Sequence, residues 1–141
     1  MINQVSVFVQ NTQGRLASAL QFLADANIDI RALSLADTTD FGILRLIVSD
    51  SQKAVEVLKA NNRIVNETPV IAVAIDDQPG GLAKVTNLLS ENNIDIQYMY
   101  AFVGSKKGAY VVLKVDDPDQ VTKFLVKNNI TVLSQEDIKD L

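Results

Sequence analysis

The chain contains no cysteine and no histidine. Lack of cysteine excludes disulfides, thiolate nucleophiles and thiolate metal ligands. Lack of histidine removes the side chain that titrates nearest neutrality and the commonest nitrogen ligand of metals. Any catalysis would have to run on Asp, Glu, Lys, Ser or Tyr, so an enzyme is not the first expectation and no cofactor or metal is called for. Positive charge is also short: 13 Lys and Arg stand against 17 Asp and Glu, for a net charge of −4 and a pI near 4.7. An acidic surface is a poor match for a polyanion, which argues against nucleic acid as a partner. No stretch approaches the roughly 18 apolar residues of a membrane helix. Met1-Ile2-Asn3-Gln4 does not open a charged-then-apolar signal sequence, and the expected address is the cytoplasm.

What the chain does have is repetition. Asn27-Ile28-Asp29-Ile30 returns as Asn93-Ile94-Asp95-Ile96, and Gly14-Arg15-Leu16-Ala17 returns as Gly80-Gly81-Leu82-Ala83, both 66 residues later. Two matched motifs at one offset indicate a duplicated unit of about 65 residues. A unit that small buries only about 60% of its unfolded surface, so the halves are expected to share an interface.

Each half reads as strand, helix, strand, strand, helix, strand. In the first, Val5 to Val9 is a β-branched run, Asn11 to Gly14 a turn, and Leu16, Ala19, Leu20 and Leu23 recur at helical spacing. Asp29 to Ala36 and Gly42 to Val48 are strands around the polar turn Asp37 to Asp40. Asp50 or Ser51 caps a helix carrying Ala54, Val55 and Leu58, and Arg63 to Asn66 is a short last strand. In the second half, Val70 to Ile75 is a strand, a helix starts at Leu82, and Ile96 to Val103 and Ala109 to Val115 flank a hairpin loop from Gly104 to Gly108. Pro118 opens another helix, Ile130 to Leu133 is a last strand, and Ser134 caps a final turn of helix.

The expected domains are residues 1–67 and 70–141, joined by Glu67-Thr68-Pro69 alone. The expected fold class is α+β. Two ferredoxin-like βαββαβ sandwiches would lie side by side, forming one eight-stranded antiparallel sheet with the helices on one face.

At this point the residues resemble a known family. Asp77-Gln78-Pro79-Gly80-Gly81-Leu82, after a strand and opening a helix, is similar to the D/N-x-P-G-x-L signature of ACT domains. Asn11-Thr12-Gln13-Gly14-Arg15-Leu16 is similar to it with Gln13 in the proline's place, and Asn-Ile-Asp-Ile before a strand is also typical of that family. The resemblance implies a free-standing tandem ACT protein of the ligand-sensing kind, binding a free amino acid where two domains meet. It also implies a partner: another copy in a homodimer, or an enzyme of amino-acid metabolism.

A zwitterion needs something partly positive for its carboxylate and acceptors for its ammonium. Gly14 and Gly80 bring the backbone to a helix N-terminus, where free N–H groups and the dipole favour an anion. The candidate acceptors are Asn11 and Asp77 in the turns, with Asp29 and Asp95 at the second strands, the two points where the family places ligand-contacting side chains. Thr12, Gln13, Leu16, Gln78 and Leu82 complete the two motifs. The plain alternatives are that Asn11 and Asp77 cap helices, and that Asp29 and Asp95 are solvated strand ends.

The halves differ in two places. Arg15 sits in a first helical turn, against the dipole, where the second half has Gly81; it is either a solvated cation or a carboxylate partner. Tyr98, Tyr100 and Phe102 alternate where the first half has Ala32, Ser34 and Ala36. They are core packing, a covered sheet face, or an aromatic wall for a ligand. Gly80-Gly81 lacks the spacing and the Lys-Ser/Thr of a phosphate loop.

The leading expectation is therefore a non-catalytic amino-acid-binding regulatory protein, with neither nucleic acid nor membrane as partner. The alternatives are a regulatory subunit resembling the small subunit of acetohydroxyacid synthase, an enzyme on a ferredoxin-like scaffold, and a structural pairing module.

Overall fold

Alternation sets the first strand, β1 (Ile2–Gln10), whose Val5, Val7 and Val9 point into one core while Asn3, Phe8 and Gln10 are exposed. The computed structural model describes residues 1–37, 40–102 and 108–141. Thr38-Thr39 of the expected turn, and Val103 with most of the expected loop (Gly104 to Lys107), lie outside the described residues. The chain separates into two compact units, Asn3–Thr68 and Pro69–Leu141 with Met1–Ile2.

In the first unit β1 is followed by α1 (Arg15–Asp25), β2 (Ile30–Asp37), β3 (Phe41–Val48), α2 (Ser51–Ala60) and the start of β4 (Val65–Ile75). The strand order is β2-β3-β1-β4, and β3 runs antiparallel to both β1 and β2. Leu23 of α1 and Ala54 and Leu58 of α2 are fully buried against Val5, Val7, Leu44 and Leu46. The second unit takes the rest of β4, then α3 (Gly81–Glu91), β5 (Tyr98–Ala101), β6 (Ala109–Lys114), α4 (Pro118–Lys127) and α5 (Gln135–Lys139), with strand order β4-β6-β5. Its core joins Ile71, Val73, Leu89, Leu113 and Leu125.

The eight expected strands are corrected to six among the described residues. Two short strands explain the difference. Arg63 to Asn66 and Val70 to Ile75 were expected separately, but β4 runs through Glu67-Thr68-Pro69 without a break, since proline suits extended backbone. Ile130 to Leu133 makes only a bridge, Val73 to Val132, flanked by the N–H of Ala74 donating to the Thr131 carbonyl (2.9 Å) and that of Leu133 to Ala72 (2.8 Å). β4 is buried on both sides from Val70 to Val73, which is why that stretch is continuously apolar.

The Asn-Ile repeat is a helix stop. Asn27, Asn62, Asn93 and Asn129 each follow a helix C-cap with φ between 57° and 62°. Asparagine tolerates this left-handed conformation better than most residues. The next residue's N–H then reaches back to the helix: Ile28 to the Leu23 carbonyl (2.9 Å), Arg63 to Leu58 (2.9 Å), Ile94 to Leu89 (2.9 Å) and Ile130 to Leu125 (3.0 Å). This is the Schellman pattern, which favours an apolar residue at that last position. Three of the four are isoleucine; the fourth is Arg63.

The strand registers locate an insertion. Val9 pairs with Gly42, and Ile75 with Ala109. Ile75 lies 66 residues after Val9 but Ala109 lies 67 after Gly42, so the second unit carries one extra residue between β5 and β6. Asp50 and Asp117 cap α2 and α4, accepting from the N–H of Lys53 (3.1 Å) and Gln120 (3.2 Å). Ser134 and Asp137 form a capping box on α5, and its hydrogen bonds from Ser134 hold the Asp137 carboxyl below its ordinary range.

Candidate functional site

The β1–α1 turn meets the β2–β3 hairpin because β3 lies beside β1. The register sets Gln10 opposite Phe41, and Asp37 of β2 opposite Gly42. The Asn11 N–H donates to the Asp40 carbonyl at 3.2 Å. Between these segments is a cavity of about 220 Å³ whose wall includes Asn11, Thr12 and Leu16 from the turn, and Leu35, Asp37 and Gly42 from the hairpin. Gly42 allows β2 a close approach at this wall: a Cβ there would lie 3.1 Å from the Leu35 Cδ1 and 3.2 Å from the Ala36 carbonyl oxygen.

Helix α1 starts without a side-chain cap. Its N-cap is Gly14, at φ 84°, a conformation that costs glycine little. Arg15 donates its N–H to the Thr12 carbonyl (3.3 Å) and Ser18 to Gly14 (3.0 Å). The N–H groups of Leu16 and Ala17 have no acceptor in the protein among the described residues. α3 repeats this with Gly80 at φ 87° and the N–H groups of Leu82 and Ala83. Asn11 and Asp77 are therefore not helix caps. The first cavity sets donors at a helix N-terminus beside one carboxylate, Asp37, and the Asn11 and Thr12 side chains. That set can hold a small molecule carrying both charges.

The other expected site residues are dispersed. Gln13 and Gly14 are exposed in the turn. Arg15 belongs with Ser18 and Arg63 rather than with the cavity wall. Asp29 pairs with Arg31 at 3.2 Å, and its N–H donates to the Ser49 Oγ at 3.0 Å. It precedes Leu35 by six residues of mostly extended chain, about 20 Å from the cavity, so one unit does not unite Asp29 with Asn11.

In the second unit Asp77 and Gln78 are exposed, while Gly81 borders a separate cavity of about 160 Å³ with Asp76, Lys84, Asn129 and Thr131. Leu82 is partly exposed, and Asp95 edges an open cleft of about 450 Å³ with Thr86, Ser90 and Asn93. Tyr98 and Tyr100 are half-buried in β5, and Phe102 meets Tyr110 edge to face at 5.9 Å. Among the described residues no group of carboxylates is arranged to hold a metal ion, and no helix is long and apolar enough to cross a membrane.

Asp37 and Arg63 were not singled out by the sequence reading. Asp37 comes to the cavity through strand register rather than through spacing along the chain. Arg63 could have been found from the Asn-Ile repeat, where it replaces isoleucine.

Comparison with known proteins identifies the family. The family described as ACT domain pair matches residues 1–141. A protein of known crystal structure from Bacteroides thetaiotaomicron is 38% identical, with a TM-score of 0.92 over 99% of this chain and 96% of that one. The regulatory subunit of aspartate kinase from Thermus thermophilus, in its ligand-free form, shares the fold at 14% identity, with a TM-score of 0.66 over 89% of this chain and 87% of that one. Its counterpart from Thermus flavus has 14% identity and a TM-score of 0.63 over 89% and 88%. No curated protein sequence matches. The matching turns, the helix starts on Gly14 and Gly80, and a family match over the whole chain lead to one statement: this chain belongs to the ACT domain pair family.

Proposed function

We propose that this protein is a non-catalytic, cytoplasmic regulator that binds a free amino acid where ACT-type domains meet, those domains being residues 1–67 and 70–141. The observation that carries the reading is the first unit's cavity. Its wall brings Leu16, from the uncapped start of α1, together with the Asp37 carboxylate, complementary to a carboxylate and an ammonium on one small molecule. Its volume of about 220 Å³ is below the roughly 300–1,000 Å³ of drug-sized pockets, in keeping with a small ligand. Asp29, Asp77 and Asp95 belong to the proposal through the family resemblance, as contacts contributed from a neighbouring domain. Binding would act on a second copy of the chain or on an enzyme of amino-acid metabolism, by favouring one of two states for which the ligand has different affinity.

Thermal denaturation against each common amino acid at millimolar concentration tests it. At least one should raise the Tm, by about 3–6 °C at ten times its dissociation constant. No shift with any of them would overturn the proposal.

A further inference from the structure

Arg63 is only 7% exposed, although it stands at a position that three equivalent helix ends give to isoleucine. Its Nη2 donates to the Ser18 Oγ, and its guanidinium lies 5.6 Å from the Phe22 ring centroid. Ser18 in turn donates to the Arg15 carbonyl at 3.1 Å. Residues 15, 18 and 22 share a face of α1, so Arg15 comes to the same place. Burial and the charge of Arg15 both push the Arg63 pKa down. The Arg63 Nη1 and Arg15 Nε are buried with no hydrogen-bond partner, and among the described residues neither guanidinium has a carboxylate partner.

The second unit shows what the fold places there otherwise. Gly81 corresponds to Arg15, Lys84 to Ser18 and Ile130 to Arg63, and these three line the cavity of about 160 Å³. An apolar side chain is therefore sufficient to end the helix at this position. Setting a half-buried cation beside a buried one, each with an unmade donor, is costly, and an anion that accepts from both offsets that cost. We propose that Arg15 and Arg63 form a binding site for a small oxyanion, a carboxylate or phosphate group that accepts from the Arg15 Nε and the Arg63 Nη1. The site is independent of the cavity at Asn11, Thr12 and Asp37.

The test is denaturation of the full chain in inorganic phosphate or acetate against chloride at matched ionic strength. A saturable rise in Tm of about 3–6 °C at ten times the dissociation constant is expected for at least one oxyanion. The stronger of phosphate and acetate distinguishes a phosphate source from a carboxylate source. Arg63→Met and Arg15→Met should each abolish the rise, while Asp37→Lys should leave it intact. A merely structural arginine would shift the Tm equally with and without oxyanion.

Should Arg63→Met fail to fold, the side-chain Nε–H resonances of the wild-type arginines decide. Those of Arg15 and Arg63 should move with phosphate or acetate and not with chloride. Absence of an oxyanion-specific effect in the wild type, or an undiminished one in both methionine variants, would overturn the proposal. Loss of amino-acid binding in Asp37→Lys with the oxyanion response retained would leave it standing.

Discussion

Gly81→Ala is expected to destabilise the protein by about 3 kcal/mol, a fall in Tm of roughly 6–12 °C. An alanine Cβ at this position would lie 1.9 Å from the Asp76 carbonyl oxygen and 2.9 Å from its carbon. Both are backbone atoms, so no rotamer change relieves the contact. Asp76 directly follows Ile75, which is held in the ladder by its pairing with Ala109, so α3 must shift away from its own turn. Gly80 provides the control. Its φ of 87° strains any other residue, but its Cβ would meet nothing within 4 Å. Gly80→Ala should therefore cost only about 1–2 kcal/mol, from the left-handed conformation alone. Denaturant titration of the two variants checks the ordering; equal losses would contradict the contact with the Asp76 backbone as the source of the larger cost. Arg15, at the matching place, has a Cβ, so the Gln10 carbonyl cannot approach α1 in the same way. The two turns share a motif but differ in shape, and so do the cavities beside them.

Asp37→Lys is expected to weaken amino-acid binding roughly thirtyfold, about 2 kcal/mol, with little effect on folding. Two unit charges about 4 Å apart in water interact by roughly 1 kcal/mol, and reversing one sign converts that attraction into an equal repulsion. Asp37 is exposed, so the high-dielectric figure applies, and its replacement leaves no buried group unpaired. Isothermal titration with the amino acid found by thermal screening gives the number. An unchanged affinity would remove Asp37 from the site and leave the Asn11 and Thr12 side chains as the ammonium acceptors.

Much of the fold was legible because its local signals are strong. The spacing of Leu16, Leu20 and Leu23, Pro118 in a first turn and Ser134 before α5 all match the structure, and of Asp50 and Ser51 it is Asp50 that caps α2. The strand count was not legible, since Glu67-Thr68-Pro69 looks like a break and only pairing shows that β4 continues through it. The repeat itself needed reinterpretation. Asn27-Ile28 and Asn93-Ile94 carry helix termination, which explains their recurrence without a ligand. Asn11, Thr12 and Leu16 were visible as a turn motif, but Asp37 and Gly42 reach them through a ladder between strands some thirty residues apart in sequence. Arg63 reads in isolation as a surface cation after a helix. Only its burial and its match to three isoleucines set it apart.

The central claim is that the first unit's β1–α1 turn and hairpin bind a free amino acid. Amide chemical-shift mapping of the labelled full chain, titrated with each common amino acid, tests this most directly. The account predicts saturable shifts for at least one of them, strongest at Asn11, Thr12, Leu16, Ala17, Asp37 and Gly42. No saturable shift with any amino acid, or shifts that leave these residues untouched, would contradict it.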